Sequence, residues 1–241
     1  MKNSYYFISD IHFGLLSYAE EVEREKIFVD FLYSIKDNVK ELYILGDLFD
    51  FWFEYKSVIQ KGYYRTFTAL NDLVISGTKI HYIIGNHDFM HRDFFEKEIG
   101  VILYQNEIVL KLDNKKFYLA HGDGLVKNDF GYLILKKIFR NKMVQNLYSL
   151  IHPNLGIKLA KGTSETSRNH TGNKNYGEGD GLFEFAKSKF KAGFDYVILG
   201  HTHQKQFEEI DNKVYANLGT WLNKPMYGIY ENKKFEIKDL K

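Results

Sequence analysis

Seven residues able to bind hard or borderline metal ions occupy five short polar clusters: Asp10 and His12, Asp47, Asn86, His121, and His201 with His203. Each cluster follows an apolar run, in turn "YYFIS", "LYIL", "IHYII", "KFYLA" and "YVIL", directly or after one glycine. Carboxylate, amide and imidazole donors without sulfur suit manganese, iron or zinc, and magnesium less well. The set can serve two divalent ions that share one carboxylate. Two such ions side by side activate water and polarise phosphoryl oxygens for in-line displacement. A lone histidine at a strand end is more often structural, and a lone Gly-Asp is most often a turn. Five clusters at five such ends argue for a metal centre.

The apolar runs are rich in β-formers and bounded by turn residues, so they read as buried strands. Side chains at i and i+2 of a strand share a side. Asp10 with His12, or His201 with His203, could therefore each reach one place if strand geometry persists. Ligands of open α/β sheets gather outside the carboxyl ends of strands, which is where every cluster lies. Helix-like segments at 19–36 and 61–76 separate the early runs, and Val22, Ile27, Phe31, Leu32 and Ile35 are expected on one face of the first. This alternation predicts a layered α/β sheet. Residues 106–120 read as a hairpin turning at Asp113-Asn114. Turns near Asp211-Asn212 and Glu231-Asn232 suggest that antiparallel strands close the domain.

Between His121 and His201 the pattern breaks. About thirty residues from Phe130 look helical, with Pro153 starting a helix after a break. From Tyr132 to Arg168 there are seven Lys/Arg against one acid, Glu165, so this segment is basic in an otherwise balanced chain. Residues 162–181 are rich in Gly, Ser, Thr and Asn and read as a mobile loop. Residues 125–175 are taken as a helical cap inserted within a single domain, 1–241.

Composition removes several classes. With no cysteine there is neither disulfide nor thiolate chemistry, which fits a reducing, cytoplasmic setting. "MKNSYYFISD" lacks the long apolar region of a signal peptide, and no run is long enough to span a membrane. A net charge of +2 is too small to argue for a nucleic-acid partner.

"DIH" (10–12), "GDLFD" (46–50), "GNHD" (85–88), "HGD" (121–123) and "GHTH" (200–203), in this order, resemble the calcineurin-like metallophosphoesterases. The resemblance spans residues 8–203. It implies an α/β fold, a layered sandwich of mixed β-sheets flanked by helices, here with the inserted cap. It also implies two divalent ions, manganese first among the candidates. One would take Asp10, His12, Asp47 and His203, and the other Asp47, Asn86, His121 and His201. His87 matches the family's non-ligand histidine, which hydrogen-bonds the developing phosphorane charge or protonates the leaving oxygen. Asp88 is grouped with His87 as catalytic, and Asp88 or Asp50 either orients a histidine or is a turn carboxylate.

The cap, together with "GDLFDFW" (46–52), is similar to the equivalent stretches of diphosphatases that split UDP-2,3-diacylglucosamine into UMP and the acylated sugar 1-phosphate. That likeness places Asp129, Ser164 and Arg168 at the sugar-phosphate. The best-known members of that group have Arg where this chain has His87. Two acyl chains need an apolar groove, which Leu133, Ile134, Ile138, Phe139, Val144, Leu147, Leu150 and Ile151 could line. The basic excess would favour peripheral contact with the cytoplasmic face of the inner membrane. Such stripes also commonly pack on a core. A phosphoesterase for a soluble nucleotide, and a non-catalytic scaffold, are the alternatives.

Overall fold

The computed structural model describes residues 2–125, 130–159 and 178–240. Its first half alternates β1 (Ser4–Ile8), α1 (Tyr18–Ile35), β2 (Val39–Ile44), α2 (Tyr64–Ile75) and β3 (Lys79–Ile83), then a π-helical turn (Phe95–Ile99) and β4 (Ile102–Tyr104). The hairpin β5 (Ile108–Leu112) and β6 (Lys115–Leu119) follows, turning at Asp113 and Asn114 with φ of 48° and 66°. Such left-handed pairs match the twist of two-residue hairpins. The segment after β6, read above as a cap, supplies α3 (Phe130–Phe139), α4 (Lys142–Tyr148) and α5 (153–159), and Pro153 is the first residue of α5. The chain then runs through α6 (Glu178–Lys191), β7 (Tyr196–Leu199), β8 (Lys205–Ile210), β9 (Lys213–Leu218), β10 (Met226–Glu231) and β11 (Lys234–Asp239).

Two mixed sheets form, ordered β11-β10-β1-β2-β3-β4 and β5-β6-β7-β9-β8. Strands β1 to β4 are mutually parallel, as are β6, β7 and β9, with antiparallel strands outside them. One core cluster lies between the sheets, drawing Phe7, Tyr43 and Ile83 from the first and Phe117, Tyr196 and Ile198 from the second. A second packs α1 and α2 on the outer face of the first sheet, and a third packs α6 on the outer face of the second. Strands buried on both faces explain the continuous apolar runs.

Three details differ from expectation. The buried face of α1 is Glu21, Glu25, Phe28, Phe31, Leu32 and Ile35, while Ile27 is exposed and Val22 half-buried. Two carboxylates take inward positions because they have partners. Glu25 accepts from the Thr66 backbone N–H at 3.2 Å and the Arg65 guanidinium at 3.0 Å, and Glu21 accepts from the Leu16 N–H at 2.8 Å. The last hairpin turns at Asn232 and Lys233, one residue later than expected. The stretch read as a loop to 181 ends earlier, since α6 starts at Glu178. Asp129, Ser164 and Arg168 lie outside the described residues.

Candidate metal centre

The strands stop before the clusters begin. β1 ends at Ile8 and β7 at Leu199, so Asp10, His12, His201 and His203 sit in loops, not in strand alternation. Asp10 (φ 55°), His12 (52°), Asp47 (53°), His201 (74°) and His203 (58°) are all left-handed. That region costs a non-glycine residue about 1 kcal/mol or more, least for Asp, Asn and His. Five such residues together persist only because the surroundings enforce them, a pattern that clusters at functional sites. This backbone, rather than strand pleating, turns both members of each pair inward.

The enforcing contacts cross between loops. Asp10 N–H donates to Gly46 O (3.2 Å) and His12 N–H to Asp47 O (3.0 Å), while Trp221 N–H and Thr220 Oγ donate to Asp10 O. Ser9 Oγ and His201 N–H both donate to Asp10 Oδ2, at 2.5 and 2.9 Å. His87 N–H donates to Asp47 Oδ1 at 2.9 Å. Gly85 and Gly200 are required by packing: a Cβ on the first would overlap the Asp47 carboxylate, and one on the second the Ser9 hydroxyl and Asp10 carboxylate.

The donors converge. His12 Nε2 lies 3.6 Å from Asp10 Oδ1, 3.7 Å from Asp47 Oδ2 and 2.9 Å from His203 Nε2. His203 Nε2 is 3.4 Å from Asp10 Oδ1. His121 Nε2 is 3.2 Å from Asp47 Oδ2 and 2.9 Å from Asn86 Oδ1, and the His121 and His201 rings are 5.1 Å apart. Asp10/His12/His203, Asp10/Asp47/His121 and His12/Asp47/His87 each bring three donor atoms within metal-binding reach of one another. Asp47 lies between the His12 and His121 sides. His121 Nδ1 sits 2.8 Å from Leu45 O, a pure acceptor, so Nδ1 carries the proton and Nε2 is the inward nitrogen. By the same reasoning His87 donates Nδ1–H to Asp50 O at 3.0 Å, and its Nε2 is the nitrogen available for chemistry.

These residues fit a cation. Asp10 Oδ1 is buried with no hydrogen-bond partner among the described residues, facing two imidazole nitrogens. A carboxylate oxygen so placed needs positive charge. In the metal-free protein, protons supply it. Burial opposes charge on His12, yet the Asp10 and Asp50 carboxylates beside its ring raise it to about 10. Burial opposes His121 likewise, and the Asp47 charge raises it to about 10. Burial would push Asp10 and Asp47 up, but their histidine partners hold both well below the carboxylate range. His201 is lowered to about 4 by burial and the His121 charge.

A pH dependence follows. Stabilisation from His12 and His121 is complete below their ordinary value of 6.5 and is lost as pH rises from there to about 10. His201 acts oppositely, losing stability as pH falls from 6.5 to about 4. Chelator-treated protein should therefore be most stable near pH 6.5 and weaken towards pH 10, as read by urea unfolding. Divalent metal should abolish the alkaline decline by displacing the protons. A flat metal-free profile between pH 6.5 and 10 would contradict this charge arrangement.

Two carboxylates expected to share a role separate. Asp50 Oδ1 lies 3.7 Å from His12 Nδ1 and 3.6 Å from His87 Nδ1, placed to orient both rings. Asp88, proposed as catalytic, is fully buried, and its hydrogen bonds go elsewhere. Its oxygens accept from the N–H groups of Leu48 (2.8 Å), Phe49 (3.5 Å) and Gly85 (2.9 Å) and from the Tyr82 hydroxyl. It ties the loop after β2 to the loop after β3.

Sequence reading also missed supporting residues. Ser9, Thr220, Asn217 and Arg24 all brace the ligand loops: Asn217 Nδ2 donates to Gly200 O at 2.6 Å, and the Arg24 guanidinium donates to Ile11 O and, at 3.4 Å, to His12 O. "VYANLGTW" carried a usable signal, since it too is an apolar run ending at a glycine and a polar residue.

Residues 4–205 match the calcineurin-like phosphoesterase family, and the chain belongs to it. It is a metal-dependent hydrolase of divalent-cation type. A UDP-2,3-diacylglucosamine hydrolase of Porphyromonas gingivalis is 30% identical over 258 aligned residues, covering 100% of this chain and 98% of the relative. The enzyme of that name from Haemophilus influenzae (strain PittGG) is 31% identical, covering 92% of this chain and 91% of its own. A solved archaeal phosphodiesterase aligns over 98% of this chain and 99% of its own, at 16% identity and a TM-score of 0.49.

Proposed function

We propose that this chain hydrolyses the pyrophosphate of UDP-2,3-diacylglucosamine, adding water to give UMP and 2,3-diacylglucosamine 1-phosphate, with manganese as its metal. The end-to-end similarity to the Porphyromonas gingivalis hydrolase carries this reading. Asp10, His12, Asp47 and His203 would hold one ion, and Asp47, Asn86, His121 and His201 the other. When bound, the ions supply Lewis-acid polarisation of the phosphoryl oxygens and a water acidic enough to ionise near neutral pH. His87, held through Nδ1 by Asp50, offers Nε2 to the phosphoryl charge or to the leaving oxygen. Asp50 positions His87 and His12. Asp129, Ser164 and Arg168 are the proposed contacts to the sugar-phosphate.

The cap supports a lipid substrate. Several of its apolar residues are open to solvent: Ile134 is 63% exposed, Leu147 62% and Leu150 81%, and Ile138, Met143, Leu155 and Leu159 are exposed too. The exposed Lys137, Lys142 and Lys158 lie on the same segment. This face suits acyl chains at an anionic leaflet, so the proposed location is the cytoplasmic surface of the inner membrane. No helix among the described residues is long and apolar enough to cross a membrane. Each leucine buried in lipid is worth about 1.5–3 kcal/mol. The double variant L147E/L150E should lose tenfold or more in binding to vesicles containing anionic lipid, with metal content unchanged. Undiminished vesicle binding would remove the membrane part of the reading.

The decisive assay is product analysis. UMP release from the diacylated substrate, dependent on manganese, should greatly exceed release from UDP-glucose. Equal rates would sink the lipid assignment in favour of a soluble nucleotide substrate.

A further inference from the structure

The cap is basic, and its cations look available for phosphate. Two of them are committed elsewhere. Lys136 on α3 and Arg140, the residue that follows the helix, stand one helical turn apart at i and i+4, with Arg140 N–H donating to Lys136 O at 3.0 Å. Lys136 Nζ pairs with Asp123 Oδ2 at 2.6 Å and donates to Asp123 O at 3.2 Å. Asp123 is buried and stands two residues after His121. Arg140 takes partners from two other loops. Its Nη1 donates to Gln105 O at 2.6 Å, and its Nη2 to Ile84 O at 3.2 Å and Gly85 O at 3.4 Å. Gly85 directly precedes Asn86. Between these anchors, Phe139 stacks on Phe89 with ring centroids 5.2 Å apart and planes 16° apart.

From these contacts we infer that Lys136 and Arg140 are positioning residues that pin the Asn86 and His121 loops from outside, making α3 a structural link between the cap and one half of the metal centre. The opposite half is held differently. The His12 loop is braced by Arg24 from α1, and Asp10 by Thr220 and Trp221 from the loop after β9, none of which belongs to the cap. The two ion positions therefore depend on different elements. A disturbance of α3 loosens the Asn86/His121 half and leaves the Asp10/His12/His203 half in place. The inference rests on the dimetal assignment of Asn86 and His121, but not on the identity of the substrate.

The test uses the full chain and Mn2+ alone. R140A and K136A are compared with wild type by metal analysis after chelator competition and by hydrogen exchange of the metal-free protein. Both variants should weaken one of two bound manganese ions by about tenfold or more, the size usual for losing an outer partner of a ligand. The other ion should keep its wild-type affinity. Exchange should quicken at residues 84–89 in R140A and at 121–125 in K136A, while Tyr6–Ile8 and the Asp10 loop stay protected, which shows that the fold is intact. K136R, which preserves a donor for Asp123, should restore both readouts, and R140K should restore them only in part. K137A removes an equal charge from an exposed position of the same helix and should change neither. Two ions held as tightly in R140A and K136A as in wild type, with unchanged exchange, would overturn the inference. So would equal weakening by K137A, because the effect would then be net charge. If wild type binds fewer than two ions while the exchange pattern appears as described, the pinning stands and the dimetal reading fails.

Discussion

Asp47→Asn should lower turnover by about 10³-fold or more and halve the bound metal, while the protein still folds. Asp47 is placed between the two sides of the centre, with Oδ2 3.7 Å from His12 Nε2 and 3.2 Å from His121 Nε2. Losing its charge removes a shared anionic ligand, and several kcal/mol of transition-state stabilisation depends on the ions it holds. At about 1.4 kcal/mol per tenfold, that gives the stated loss. The fold should survive because an asparagine Oδ1 can still accept the His87 N–H that Asp47 Oδ1 accepts at 2.9 Å. Turnover, metal content and thermal unfolding are measured on the same preparation. Activity within tenfold of wild type, with two ions bound, would falsify the assignment of Asp47 as the shared ligand.

Asp88→Ala has an effect of comparable size on a different quantity. Removing this carboxylate strands buried N–H groups of Leu48 and Gly85 and the Tyr82 hydroxyl, and loosens the longer contact to Phe49. Each buried polar group left without a partner costs about 1–3 kcal/mol. The summed loss of at least about 3 kcal/mol is a large share of a typical domain's stability. Thermal and urea unfolding of the metal-free protein should show it directly. His87→Ala, one residue away, should instead reduce the rate and keep the midpoint, because His87 is half-buried and its ring does not carry the buried N–H groups that Asp88 carries. Unchanged unfolding in Asp88→Ala with turnover abolished would return Asp88 to a chemical role.

Much of this centre can be read from residue order. Five apolar runs, each followed by metal-capable side chains, locate β1, β2, β3, β6 and β7 and their carboxyl ends. The hairpins at Asp113-Asn114 and Asp211-Asn212 are equally visible, since Asp and Asn tolerate left-handed backbone. Other features leave no local trace. Asp50 and Asp88 both follow a cluster at short range, and nothing in their spacing says that one meets histidine rings and the other meets backbone N–H groups. Likewise Glu21 and Glu25 look like surface residues of an amphipathic helix. Glu25 is buried because Arg65 and Thr66 arrive from α2, and Glu21 because the Leu16 N–H and the Arg24 guanidinium, one turn along the same helix, supply its partners.

The cap shows the same division. Its basic composition suggested contact with anions, yet Lys136 and Arg140 are spent on Asp123 and on carbonyls of the loops after β3 and β4. Its apolar residues had two readings, core stripe or lipid groove. Their exposure on α3, α4 and α5 was decided by where the helices dock.

Residue types and their order alone dictated the donor chemistry, the strand ends that carry it and the exclusion of sulfur, because these follow from side-chain identity and short-range periodicity. Only the packed structure decided that two sheets bring distant loops together. It also decided that left-handed backbone aims Asp10, His12, Asp47, His201 and His203 inward, and that Asp47 stands between two sets of ligands. Those outcomes rest on hydrogen bonds between segments up to about two hundred residues apart, such as His201 N–H to Asp10 Oδ2. No local pattern encodes such contacts, since the strained conformations they enforce are unfavourable until the partner loops are in place.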